Sequence, residues 1–226
     1  MGSICKAKFK MPYLLDNLYN RRFSVFLCSF LVLIFGDLFL PMQDKNLVQT
    51  ILLVQNIAFS FILFIREPIK IKRLVGAVFL VTIIIRLIPL IGYDGSLGFA
   101  LIYIIYFTLI SYEILKALQK QQAVGLEMIS AAFCGYILLG VLASIVFFTM
   151  DRSSEAFTST AVNKEYADYL YFSFITLLTI GYGDIIPTSE LSQKLVIIVA
   201  LIGHFYTVFV MAVVIGKFLS SSDKSS

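Results

Sequence analysis

Residues 179 to 184 read Thr-Ile-Gly-Tyr-Gly-Asp, and their types and spacing suit coordination rather than catalysis. A cation stripped of its water needs a shell of oxygens in place of it. Carboxylate side chains would bind divalent competitors, notably calcium, too well. Backbone carbonyls carry only partial charge and can be stacked in a line. Aiming successive carbonyls at one axis requires a backbone that alternates between conformations an ordinary residue resists. Gly181 and Gly183 can take positive φ at little steric cost. Thr179 can add its hydroxyl oxygen below the carbonyls. Ile180 and Tyr182 are expected to point away from the axis and pack behind it. Asp184 leaves a negative group at the outer mouth, where it raises local cation concentration.

Other chemistry has little to work with. The single histidine, His204, cannot build a histidine metal cluster within one chain. Cys5, Cys28 and Cys134 form no C-x-x-C pair and are odd in number, which argues against a disulfide framework or a zinc site. The expectation is no enzyme and no organic cofactor. The net charge of +4 is dispersed along the chain and does not point to nucleic acid.

The elements that position 179–184 follow from composition. The chain is 59% hydrophobic and 14% charged, against about 25% charged in a soluble domain. So little polar surface points to lipid as the solvent. A helix spans a membrane with about 20 apolar residues, and six runs qualify: roughly 23–40, 47–65, 74–91, 97–115, 128–149 and 191–217. A seventh run, 168–178, is too short to span and leads directly into the glycines. It is expected to enter the membrane and turn back, since irregular backbone at that depth must be buried or line a watery path. Asp168 is expected as its N-cap, and its C-terminal end favours a cation in the cavity it faces. The fold class is therefore an all-α membrane protein with six transmembrane helices, a re-entrant pore helix and a filter.

Lys and Arg near the ends of these runs divide 13 to 4 between the two sides. The positive-inside rule then places both termini in the cytoplasm of a multi-pass protein of the cell membrane. No small-residue cleavage site follows Leu40, so the first run reads as an uncleaved helix. The domains expected are a cytoplasmic N-terminus at 1–22, a four-helix domain at 23–115, an amphipathic interfacial linker helix at 116–127, a pore domain at 128–219 and a cytoplasmic tail at 220–226.

The segment Tyr171-Phe-Ser-Phe-Ile-Thr-Leu-Leu-Thr-Ile-Gly-Tyr-Gly-Asp184 resembles the pore helix and selectivity filter of the potassium channel superfamily, whose filter motif is matched at all six positions of 179 to 184. Thr176 matches the family's threonine midway down the pore helix, and Pro187 falls where a proline often leaves the filter. Leu178 departs from the pattern, since a threonine is common there. The resemblance covers residues 128 to 219; the six-helix layout resembles voltage-gated-type channels more loosely. It implies K+ as the permeant ion, coordinated by Thr179, Ile180, Gly181, Tyr182 and Gly183. With one filter segment per chain, it also implies a homotetrameric pore whose partners are further copies of itself and membrane lipids.

A voltage sensor carries Arg or Lys at every third position of its fourth helix. Here Gly98 to Tyr112 carries none, and Lys116 and Lys120 come only at the inner end. Several charges are needed for steep gating, at about 2.3 kcal/mol per charge per 100 mV. The four-helix domain is therefore read as a degenerate sensor, with conduction weakly or not voltage-gated. A voltage-dependent channel with an unusual sensor, a non-conducting membrane subunit and a solute transporter are the alternatives. Asp37 and Arg86, of opposite sign and similar depth, are candidates for an intramembrane pair or for separate snorkelling. Gly203 is the hinge candidate by position, with close helix packing as the other reading; Thr207, Met211 and Ile215 continue its helical spacing and are candidates to line the cavity. Gln55 and Asn56 are expected to bond between helices.

Overall fold

The computed structural model describes residues 13–39, 45–87, 96–120, 125–159 and 165–222. Its helices are α1 (Tyr13–Asn20), α2 (Arg22–Phe35), α3 (Lys45–Ser60), α4 (Ile69–Leu87), α5 (Ser96–Lys120), α6 (Leu126–Ser154), α7 (Tyr166–Leu177) and α8 (Glu190–Ser222). Short 3-10 turns, Gly36–Leu38 and Phe61–Phe64, extend α2 and α3. The described residues of the six long apolar runs fall chiefly on α2, α3, α4, α5, α6 and α8 and on the 3-10 turns; residues 40 and 88–91 lie outside the described residues. Among the described residues, two segments are long and apolar enough to cross a membrane by themselves, Leu126–Ser154 and Glu190–Lys217. α2, with 14 residues, is only about 21 Å long. The seventh run is the separate helix α7, 12 residues and about 18 Å long.

α2, α3, α5 and α6 share one core built around Phe26, Ile57, Phe107, Ile110 and Leu138. The first four helices therefore do not keep a core apart from the later ones. One reason lies in a contact between residues 104 apart in sequence. The first backbone N–H groups of a helix have no partner within it, and Arg21 at the N-cap of α2 makes no side-chain bond to them. Glu127, in the first turn of α6, accepts from Phe23 N at 3.0 Å, from Ser24 N at 3.3 Å and from the Ser24 hydroxyl. Its negative charge also suits the positive end of the α2 dipole.

The far end of α5 is fixed in the complementary way. Lys217 of α8 donates to the Leu118 carbonyl at 2.5 Å, a cation at the negative end of a helix. Lys116 donates to Glu67 at 2.7 Å and to Glu113 at 3.0 Å. Ala117 and Leu118 are buried. These contacts carry α5 on to Lys120, so the stretch expected as one linker helix is divided between the end of α5 and the start of α6 at Leu126; residues 121–124 lie outside the described residues. Gln55 Nε2 and Asn56 Nδ2 both donate to Ser29 Oγ, at 2.9 and 3.0 Å, and so join α3 to α2 as expected.

A second core joins α6, α7 and the two short strands, with Phe147, Phe157, Tyr169 and Phe172 at its centre. The rings of Phe147, Phe157 and Phe172 lie 5.3 to 5.6 Å apart, within the range of favourable aromatic pairs. β1 (Phe157–Ser159) pairs antiparallel with β2 (Ile185–Pro187), Thr158 opposite Ile186. The segment leaving 179–184 is thereby tied to the segment that follows α6.

Candidate functional site

α7 descends beside α6 from the C-terminal end of α6 to its middle. At the top, Asp151 accepts from Phe157 N at 2.8 Å and from the Tyr169 hydroxyl. Lower down, Ser173 Oγ donates to the Gly140 carbonyl at 2.9 Å. At the bottom, the Tyr136 hydroxyl donates to the Leu177 carbonyl at 2.9 Å. The chain then turns, and β2 returns it to the level of β1. The chain thus runs down along α6 as a helix and back without one. The approach at Gly140 requires glycine: a Cβ there would lie 2.6 Å from the Phe174 ring.

The start of α7 differs from expectation. Glu165 is the N-cap, and Asp168 sits at N3, where its Oδ2 accepts from Glu165 N at 2.9 Å. The two acids form a reciprocal capping box, with Glu165 in the place usually held by Ser or Thr. The spacing Glu165-x-x-Asp168 carried that signal, but an N-cap assignment based on the aspartate alone missed it.

The backbone of 179–184 alternates. Thr179 has φ 59°, Gly181 59° and Gly183 78°, while Ile180 and Tyr182 are not among the positive-φ residues. The N–H groups turn back onto α7: Thr179 N donates to Thr176 O at 3.0 Å, and Ile180 N and Gly181 N donate to Ile175 O at 2.9 and 3.3 Å. Among the described residues, no donor reaches the carbonyls of Thr179 to Gly183. Alternating handedness turns successive carbonyls toward one side, where an extended strand would alternate them. The result is a run of oxygens left without donors, beside donors that are committed elsewhere. Alternation at the glycines was expected; the left-handed Thr179 was not. A β-branched residue at positive φ is strained by about 1–3 kcal/mol, and such strain gathers at functional sites.

Residues 135–220 match the family described as "Ion channel". The chain is 32% identical over 96 residues to "Two pore potassium channel b" of Oryza sativa subsp. japonica, covering 42% of this chain and 23% of that protein. It is 29% identical over 89 residues to "Two-pore potassium channel 4" of Arabidopsis thaliana, covering 39% and 31%. Over a shorter stretch of 34 residues it is 59% identical to "Potassium channel K2" of Plasmodium berghei (strain Anka), covering 15% and 2%.

Residues 135–220 thus carry a domain of the ion channel family, similar to segments of potassium channels.

This is a family of ion channels and not of enzymes. The chain spans less than a third of the length of these curated relatives. No solved structure matches it.

The remaining site residues are placed as follows. Ile180 and Tyr182, expected to pack behind the filter, are 49% and 71% exposed in the single chain. Asp184, expected at the outer mouth, is half-buried, and its Oδ1 is buried without a partner among the described residues. That burial was not legible from spacing, since it depends on 179–184 folding back beside α7. On α8, Gly203 is buried against Leu177. Thr207, Met211 and Ile215 are exposed, and the Thr207 hydroxyl donates to the Gly203 carbonyl at 3.0 Å. A spacing of four advances about 40° per step on a helix with 3.6 residues per turn, so this row drifts away from the face that Gly203 presents to α7. Asp37 is exposed, and the side chain of Arg86, its candidate partner, lies outside the described residues.

Proposed function

We propose that four copies of the 179–184 segment surround one axis and conduct K+ passively and selectively. The observation that carries this is the alternation at Thr179, Gly181 and Gly183, with the carbonyls from Thr179 to Gly183 unclaimed by any described donor. A dehydrated cation is the partner that such oxygens suit. Thr179, Ile180, Gly181, Tyr182 and Gly183 are the proposed K+ ligands, with Asp184 at the outer mouth.

A homotetramer is supported by what one chain leaves open. The spanning part of α8 is only 6% buried, against 56% for α6. Together with the exposed Ile180 and Tyr182, this gives neighbouring copies a large apolar surface to cover. Several relatives are named two-pore channels; this sequence carries one filter segment, so a ring of four needs four such chains.

The further reading is six crossings with both termini cytoplasmic in the cell membrane, and weak or absent voltage dependence. Support for the latter comes from α5, which carries no cation from Ser96 to Tyr112, and from Lys116, which is held by Glu67 and Glu113. A steep conductance–voltage curve with several gating charges per subunit would contradict it.

The test of conduction is potassium or rubidium flux into liposomes holding the pure protein. Gly181→Ala should abolish flux or selectivity. A Cβ at Gly181 meets nothing within 4 Å in its own chain, so the penalty comes from positive φ and from crowding at the shared axis. A variant that conducts with an unchanged preference for potassium over sodium overturns the assignment.

A further inference from the structure

The last four carbonyls of a helix have no partner within it. In α7 these belong to Phe174, Ile175, Thr176 and Leu177. The chain that follows supplies donors for the first three. Leu178 N donates to Phe174 O at 2.9 Å, Ile180 N and Gly181 N donate to Ile175 O, and Thr179 N donates to Thr176 O at 3.0 Å. No backbone N–H among the described residues reaches Leu177 O in this way. Its donor comes from another helix, the Tyr136 hydroxyl of α6 at 2.9 Å. The peptide group joining Leu177 to Leu178 is therefore held at both ends, its N–H by Phe174 and its carbonyl by Tyr136. The Tyr136 ring in turn lies 6.2 Å from that of Tyr206 on α8, whose own hydroxyl donates to Ala132 O at 2.8 Å.

We propose that Tyr136 is a positioning residue for the 179–184 segment: its hydroxyl fixes the peptide group ahead of Leu178 and so keeps Thr179 left-handed. Its effect on ions rests on the proposed function. A β-branched residue at φ 59° persists only where its surroundings over-determine it. The bonds from residues 178 to 181 tie the segment to α7 alone. Tyr136 adds a restraint from outside α7, one residue position from where the strained backbone begins. It also engages a carbonyl that would otherwise add to the negative end of the helix. Thr179 is the innermost of the proposed K+ ligands. A change in its backbone alters the oxygen shell at that position, and with it the preference between cations.

The test compares Tyr136→Phe and Tyr206→Phe with wild type, each as the full chain in liposomes. Each variant removes one hydroxyl that donates to a carbonyl of a neighbouring helix, so both should lose a similar amount of thermal stability. Only Tyr136→Phe should speed backbone hydrogen exchange at Thr179, Ile180 and Gly181. Only Tyr136→Phe should lower the potassium-over-sodium permeability ratio, by about fivefold, the factor to which one ordinary hydrogen bond converts. Replacing Tyr136 with para-aminophenylalanine, which puts a donor back, should reverse both changes. Exchange left unchanged by Tyr136→Phe, or raised equally by Tyr206→Phe, overturns the proposal, as does an unchanged permeability ratio in a selective wild type. Loss of the folded protein in Tyr136→Phe alone also overturns it, since the bond would then support the whole fold rather than position Thr179. Exchange is read without ion flux: an unselective wild type sinks the proposed function, while exchange still decides whether Tyr136 holds Thr179.

Discussion

Gly203 of α8 and Leu177, the last residue of α7, are packed so closely that a Cβ on Gly203 would lie under 3.0 Å from Leu177 Cδ2. α8 thus touches α7 two residues before Thr179. Glycine gives α8 room for close approach at this point, whatever freedom it adds as a hinge.

Gly203→Ala should therefore move Leu177 or α8, at a cost of about 1–3 kcal/mol for overpacking. Gly216 makes the control, since a Cβ there meets nothing within 4 Å. Gly216→Ala should be neutral or stabilising by up to about 1 kcal/mol through helix propensity. Thermal unfolding in detergent, paired with rubidium flux, checks both. If Gly203→Ala leaves stability and selectivity untouched, the contact has no consequence for the filter.

Glu127 caps α2 from the start of α6. Glu127→Ala removes an acceptor from two backbone donors at once, and should destabilise the protein by about 2 kcal/mol. The expected drop in melting temperature is about 4–8 °C for a chain of this size. Glu127→Gln keeps an acceptor and should fall between wild type and alanine.

Asp151 holds Phe157 N and the Tyr169 hydroxyl together. Asp151→Ala should cost about 3 kcal/mol, from two hydrogen bonds to a charged acceptor. Because β1 pairs with β2, directly after Asp184, the effect should also reach the filter exit. Faster backbone hydrogen exchange at Ile185 and Ile186 would confirm that coupling; exchange confined to 151–157 would exclude it.

The hydrogen bond that Lys116 donates to Glu67, with a further contribution from Glu113, raises the Lys116 pKa above its ordinary value. A raised folded-state pKa contributes stability that is complete below the unfolded value, about 10.4, and is lost as pH rises through the folded one. The network should therefore be insensitive to pH across the neutral range and weaken only in strong alkali. The Lys116 side chain is 26% exposed, so solvent screening limits the contribution to about 1 kcal/mol or less. Comparing the melting temperatures of wild type and Lys116→Met from pH 6 to 9 should give a constant, small difference.

Much of the site was legible because its causes are local. Gly181 and Gly183 announce a backbone that needs positive φ, and both adopt it. The run 168–178 is too short to span, and α7 is a separate short helix. Apolar runs near 20 residues form helices because the backbone hydrogen bonds close within each segment.

What the sequence by itself determined is therefore the positive φ at Gly181 and Gly183 and the inventory of helices, both set by neighbours a few residues apart. Tertiary structure decided the rest. The left-handed Thr179 depends on Ile180 and Gly181 donating back to Ile175. The fit at Gly203 depends on Leu177 of another helix. The shared core depends in part on Glu127 reaching across 104 residues to an uncapped helix. Each of these satisfies a donor or fills a space that exists only once distant segments have packed, which no local pattern encodes.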